Sequence, residues 1–318
     1  MSSALHVVFG AGQVGAQLAR LLQAAGHRVR VVRRSEKSVG EGIEVVAGDA
    51  RDGAFASRAA AGAAVVYHCM NPSAYTAKAW REEFPALGEA LIGAALGAGA
   101  RLVVLDNLYG YGPTDARLRE DTVMAARGPK GEVRRRWAGR LAEAARTQGL
   151  RYAVGRAGDF FGPGAEAALV SEDAVRGLAR GKRPILLGDV HATHAFSYIP
   201  DVVAALAALG AAEADVEGTV FHVPVIEVAP QDLYLRIAAE LGVRTRPRGA
   251  ARALLVGLSP FVTLFRELRE TLYQWERPFL VDDSRFRARF PALGTTLDDA
   301  VRATADVARP TASERRAA

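Results

Sequence analysis

"LHVVFGAGQVG", Leu5 to Gly15, runs from an apolar, valine-containing segment straight into three glycines spaced G-x-G-x-x-G. The next residues, to Gly26, place Val14, Leu18, Leu21, Leu22 and Ala25 on one helical face, and Gly26 ends that helix. A glycine triplet means little alone. Between a strand and a helix it has a physical reading: Gly10 allows the tight turn, Gly12 lets backbone approach a pyrophosphate, and Gly15 packs helix on strand. The helix N-terminus then favours the phosphate charge. The expectation is a dinucleotide site at the first βα turn.

Working outward, "HRVRVVRR" (His27–Arg34) is a second strand. An acidic residue at its end would bond the ribose diol of NAD; Arg33, Arg34 and Ser35 stand there instead. Two guanidiniums suit a 2′-phosphate, so the expected cofactor is NADP rather than NAD. "IEVVAGDARD", "AAVVYHCMNP", "ARLVVLDN" and "LRYAVGRAGDF" read as further strands, alternating with Ala/Leu-rich helices near 77–98 and 130–147. That alternation predicts an α/β fold, a Rossmann-type doubly wound parallel sheet. Beyond Pro230 the chain is mainly helical. The expected organisation is a dinucleotide domain over 1–165, with 185–225 adding strands and a helix. A substrate region takes 166–184 and 226–308, and 309–318 is a flexible tail.

The 318 residues are 50% hydrophobic and 24% charged, the balance of a packed globular protein, with a net charge of +6. Arginines are scattered among acids ("RSEKSVGEG", "WREEF"), and no nucleic-acid-binding motif appears, so no nucleic-acid partner is expected. Cys69 is the only cysteine, which excludes an internal disulfide and a multi-cysteine metal site. His191 and His194 lack a third ligand, so no metal is expected. No signal segment and no apolar run of about 18 residues is present, so the expectations are a cytoplasmic location and no membrane partner.

With these segments in order, the chain resembles the extended short-chain dehydrogenase/reductase superfamily, its NAD-dependent epimerase/dehydratase group. "FGAGQVG" resembles the family's glycine motif, "GDARD" the segment that meets the adenine, and "VVYHCMNP" the strand end lining the cofactor. "LYGYGP", "GRAGDFFGPG" and "HAFSYIPDVVAAL" are similar to its later motifs. The resemblance implies a cofactor set of Gly10, Gly12, Gln13, Val14, Gly15, Arg33, Arg34, Ser35, Asp49, Ala50, Cys69, Met70, Asn71 and Lys130. It also implies a homodimer through the helices carrying Trp80 and Trp137.

The resemblance breaks at the catalytic positions. The family carries Ser or Thr near the end of strand five and then Tyr-x-x-x-Lys. Here the first slot falls on Asn107, or on Leu105 if Tyr109–Gly110 is the matching pair. "PKGEVR" puts Lys130 and Arg134 in the Tyr-Lys slots. Lys130 has three open roles: an acid/base lowered by desolvation and Arg134, a fixed charge on cofactor or substrate, or a solvated helix start. Asp159 stands where the family has asparagine, and Tyr111 offers a phenol to the same pocket. The expected function is NADP-dependent oxidoreduction of a small carbonyl or alcohol, with Asn107, Lys130, Tyr111 and Asp159 at the chemistry. An epimerase or dehydratase with retained cofactor, or a non-catalytic NADP sensor, are the alternatives. "LSPFVTLFRELRETLYQW" (Leu258–Trp275) is the expected pocket lid.

Overall fold

The computed structural model describes residues 4–250 and 262–309. Seven parallel strands form the central sheet: β1 (Leu5–Phe9), β2 (Arg28–Arg33), β3 (Glu44–Ala47), β4 (Val65–His68), β5 (Arg101–Asn107), β6 (Tyr152–Ala157) and, later in the chain, β10 (Thr219–His222). Their spatial order is β10-β6-β5-β4-β1-β2-β3. The direction of winding reverses between β1 and β4, and ligands of such sheets bind in the crevice outside the strand ends at that switch.

Both faces of this sheet are covered, so its strands read as apolar runs rather than alternating ones. Along β1, Val7 and Phe9 point to one core and Val8 to the other. The first core is closed by α2 (Gly53–Ala60), α3 (Ala77–Ala98) and α4 (Pro129–Gln148), which bring Trp80, Phe84, Leu91, Trp137 and Leu141. Burying Phe84 alone contributes roughly 1.5–3 kcal/mol. The stripe Val133, Trp137, Leu141 and Ala144 is indeed the packed face of α4. Gly88 is the notch that receives Trp137: a Cβ there would stand 2.6 Å from its ring. The second core is closed by α1 (Gly15–Ala24) and α6 (Ile199–Ala211), through Leu18, Leu22, Val202, Leu206 and Leu209.

The remaining elements sit beyond the strand ends. A three-stranded sheet, ordered β11-β9-β7, joins β7 (Asp159–Phe161), β9 (His194–Tyr198) and β11 (Ile226–Val228). It packs with α5 (Glu172–Ala179) and α7 (Pro230–Glu240) around Phe161, Phe196, Leu233 and Trp275. A two-stranded sheet pairs β8 (Ile185–Leu187) with β12 (Arg248–Ala250). Within 185–225, then, α6 and β10 join the main body, while β8 and β9 enter the small sheets. The expected lid falls partly outside the described residues. Its described part includes the helices Thr263–Leu268 and Tyr273–Glu276. Among the described residues no helix is long and apolar enough to cross a membrane.

Candidate active site

The glycine loop is built as its spacing implies. Gly10 has φ +100°, and a Cβ there would come within 2.7 Å of the Cys69 carbonyl oxygen. A Cβ at Gly15 would fall on the Gly10 carbonyl, so helix and strand touch there. At Gly12 a Cβ would meet nothing within 4 Å, leaving open space above the start of α1. The N-cap Val14 offers no side-chain hydrogen bond to that start. An uncapped helix N-terminus facing open space fits a pyrophosphate.

That space is a cleft of about 490 Å³. Gly10, Gly12, Gln13, Val14, Arg33, Arg34, Ser35, Cys69, Met70 and Asn71, all from the cofactor set that the resemblance implies, line it together with Leu105, Phe160, Glu166 and Ala167. Gln13 ties the loop 166–167 to the glycine turn, its Oε1 accepting from the Glu166 amide at 3.0 Å. Arg34 also borders a smaller adjoining cleft with Asp49, Ala50, Arg51 and Asn71. Asp49 is held by Arg51 through a hydrogen bond of 2.6 Å, and that partner brings its carboxyl down to about 2. Cys69 borders the first cleft, and desolvation pushes its thiol up to about 12, so it stays a thiol.

A second cleft, about 320 Å³, opens off the first. They share Gln13, Cys69, Met70, Asn71, Leu105, Phe160 and Ala167. Its polar lining is Tyr75, Asp106, Asn107, Tyr109, Arg134, Asp159 and Gln274. Asn107 ends β5 and accepts the Tyr109 amide on Oδ1 at 3.1 Å, which fixes the following turn. The Tyr75 hydroxyl donates to that of Tyr109 at 3.2 Å. Burial, then Tyr75 and Asp159, raises the Tyr109 phenol well above its usual range.

Beneath the cleft Arg134 lies buried over the rings of Phe84 and Trp80. It donates to Asp106 Oδ1 at 3.1 Å and to Asn71 Oδ1 at 2.6 Å. The other Asp106 oxygen accepts from Arg156 Nε at 3.0 Å. Two cations thus meet one buried carboxylate, and of these three groups Arg134 and Asp106 border the cleft. Arg156 also donates to the Tyr111 hydroxyl at 2.7 Å; Tyr111 meets His222 Nε2 at 2.7 Å, and His222 Nδ1 meets the Asp282 carbonyl at 3.0 Å. Nδ1 must donate to a carbonyl, so Nε2 accepts and the Tyr111 proton is committed.

Two expected site residues therefore lie elsewhere. Tyr111 is not a phenol of the pocket: it is 2% exposed, packed with Leu108, Leu118, Phe279 and Val281, and bordering neither cleft. Lys130 also borders neither, although it was expected at both cofactor and substrate. Its ammonium lies 2.7 Å from Glu267 Oε2, 3.5 Å from Glu270 Oε2 and 4.7 Å from the centre of the Tyr75 ring. Arg134, four residues on, does reach the second cleft. Asn107 and Asp159 border the cleft as expected; Leu105, the alternative slot, does too. His191 is exposed, whereas His194 is buried against Asp159. Among the described residues no group of three or more metal-type side chains gathers.

Residues 6–223 match the NAD dependent epimerase/dehydratase family. The chain belongs to that family. Its members are enzymes, and so is this chain. Solved structures agree on the fold. A UDP-glucose 4-epimerase from Thermotoga maritima superposes with a TM-score of 0.77 at 17% identity, covering 95% of this chain and 98% of that one. A UDP-glucuronic acid 4-epimerase from Bacillus cereus, solved with NAD, gives 0.77 at 14% identity, covering 96% and 98%. A dTDP-glucose 4,6-dehydratase from Streptomyces venezuelae, with NAD bound, gives 0.77 at 18% identity, covering 95% and 96%. No curated protein matches the chain by sequence.

Within this family frame, sequence reasoning missed Glu166, Ala167 and Phe279 as lining residues, while Gln274 falls within the expected lid segment. Glu166 and Ala167 follow "GPG" by two and three residues, so extending that motif would have found them. Phe279 had no comparable signal, because it arrives from the far end of the chain.

Proposed function

We propose that this family member binds NADP in the first cleft and acts on a hydroxylated, sugar-like substrate in the second. The cycle is of the epimerase or dehydratase type, in which cofactor leaves in the form in which it entered. The observation that carries this reading is the shared wall of the two clefts: a ligand in one abuts a ligand in the other. The bound nicotinamide supplies a hydride acceptor and donor.

The protein's own residues do the rest. Gly10, Gly12 and the N-terminus of α1 receive the pyrophosphate. Arg33, Arg34 and Ser35 face the 2′-phosphate, and Asp49 and Ala50 border the adenine side. Asn107 and Tyr109 offer hydrogen bonds to a substrate oxygen, while Arg134 supplies a fixed positive charge where oxyanion character develops. Asp159 closes the opposite wall.

The test follows conversion of UDP-glucose to its C4 epimer, and loss of water from dTDP-glucose with solvent deuterium entering carbon, beside NADPH absorbance, in the purified protein. Epimer formation or water loss without net cofactor change is expected. Net NADPH consumption with a small carbonyl would replace the cycle with simple oxidoreduction. Tight NADPH binding with neither would make the chain a cofactor-binding sensor.

A further inference from the structure

His194 begins β9 with a side chain only 2% exposed. Its ring stacks on Trp275, with centroids 3.9 Å apart and planes 9° from parallel, and also lies against Phe279 and Phe196. Nδ1 stands 3.0 Å from the Gln274 carbonyl oxygen and Nε2 stands 2.9 Å from Asp159 Oδ2. A carbonyl only accepts, so Nδ1 carries a proton. An ionised carboxylate also only accepts, so hydrogen bonds at both ring nitrogens require a further proton, on the ring or on the carboxyl. The two contacts are those of a pair with one proton more than a neutral imidazole beside a carboxylate. Asp159 is a third exposed and borders the second cleft, so that proton has an exit.

The titratable groups facing this pair are Tyr109 and Tyr273, with Tyr75 and Glu270 behind Tyr273 and Arg134 behind Tyr109. Burial raises both facing phenols, which keeps them neutral. Arg134 remains a cation, and Lys130 is held by Glu267 and Glu270.

We propose that Asp159 and His194 form a proton-storing pair that serves as the acid–base group of the second cleft. Asp159 makes the contact with the substrate oxygen, and His194 is a positioning residue and reservoir behind it. The substrate enters as a hydroxyl, so the pair first gives up its stored proton to solvent through Asp159; the Nε2 lone pair then faces Oδ2, and that mismatch makes the pair a proton acceptor. As the hydroxyl is oxidised its O–H bond breaks, the bonding electrons become the second bond of the carbonyl while the carbon's hydride leaves, and Asp159 takes the proton. When the carbonyl is reduced again the proton returns to the substrate oxygen, so the pair ends as it began without any added reactant. This inference rests on the functional reading above, and the experiment separates the two.

Histidine-selective 15N NMR of the full chain, with His194→Gln assigning the signal, reads the stored proton without substrate. In wild type, His194 should show protons at both nitrogens, or one strongly shared with Asp159, while ordinary imidazoles deprotonate above about pH 6.5. In Asp159→Asn it should hold one proton, on Nδ1. A single-proton imidazole in wild type, indistinguishable from Asp159→Asn, overturns the pair. With any sugar nucleotide that is turned over, Asp159→Asn should lower kcat about 100-fold with little change in KM. The wild-type rate should rise through the pH at which the spectra show the proton leaving, because the proton-depleted pair is the form that accepts the hydroxyl proton. A rate indifferent to that titration overturns the acid–base role. Absence of turnover with every sugar nucleotide overturns the functional reading and the acid–base role together, while the spectra still judge the stored proton.

Discussion

Lys130 Nζ lies 2.7 Å from Glu267 Oε2, a contact spanning 137 residues of sequence. The same ammonium donates to the Glu267 carbonyl at 3.0 Å. Glu267 also accepts the Ala77 amide at the start of α3, and Glu270 accepts the amides of Lys130 and Gly131 at the start of α4. Two carboxylates from the C-terminal segment therefore cap two helix N-termini, and Lys130 is the counter-charge that lets them be buried there. Residue type at a catalytic slot does not by itself make a catalytic group.

Replacing Lys130 by Met strands those carboxylates. The expected cost is about 3 kcal/mol in urea unfolding, since one partner of a buried ion pair is removed. NADPH affinity should be unchanged, because Lys130 does not border the cofactor cleft. Affinity lost in step with stability would contradict that assignment.

Acid should unfold the protein in two stages. Burial, with a smaller contribution from His27, lowers His6 to about 4, and burial, with Arg134, lowers His68 to about 3. Both are depressed bases, so their stability is complete above the unfolded value of about 6.5 and falls as pH drops below it. Glu267 enters later. Its burial opposes ionisation, but the Lys130 ammonium and Ala77 amide outweigh this and hold the carboxyl below its ordinary value. Its contribution is present above about pH 4.3 and is lost on further acidification. Unfolding free energy measured from pH 8 to 4 should show the first slope, and His68→Leu should flatten it.

Gly12→Ala and Gly15→Ala should behave oppositely. The first adds a methyl to open space, so stability should hold while NADPH affinity drops at least about tenfold, because backbone can no longer approach the pyrophosphate. The second drives a methyl into the Gly10 carbonyl and should disrupt folding. Thermal unfolding beside a fluorescence titration distinguishes them.

Arg34→Ala should weaken NADPH about tenfold and leave NADH unaffected, the loss of one charge-assisted contact to a phosphate. Equal loss for both cofactors would remove the 2′-phosphate assignment.

Tyr111→Phe leaves Arg156 Nη1 and His222 Nε2 each without that hydrogen bond in a buried site. A cost of about 1–3 kcal/mol is expected, with cofactor binding intact. Activity lost at undiminished stability would return Tyr111 to the chemistry.

The sequence alone determined the sheet, the family and the open glycine turn at the first strand end, because each is a local pattern. Glycine spacing, Val-rich strands and paired arginines act within a turn or two of where they stand. Family order extended this to Asn107 and Asp159, which sit at strand ends and so inherit their place from the fold. What Lys130, Arg134, Tyr111 and His194 do was decided only in three dimensions. Each is a buried polar group, and its role is set by the partner that satisfies it: Glu267 for Lys130, Asp106 for Arg134, His222 for Tyr111, Asp159 for His194. These partners lie 28 to 137 residues away, and no periodicity or spacing carries a contact across such distances.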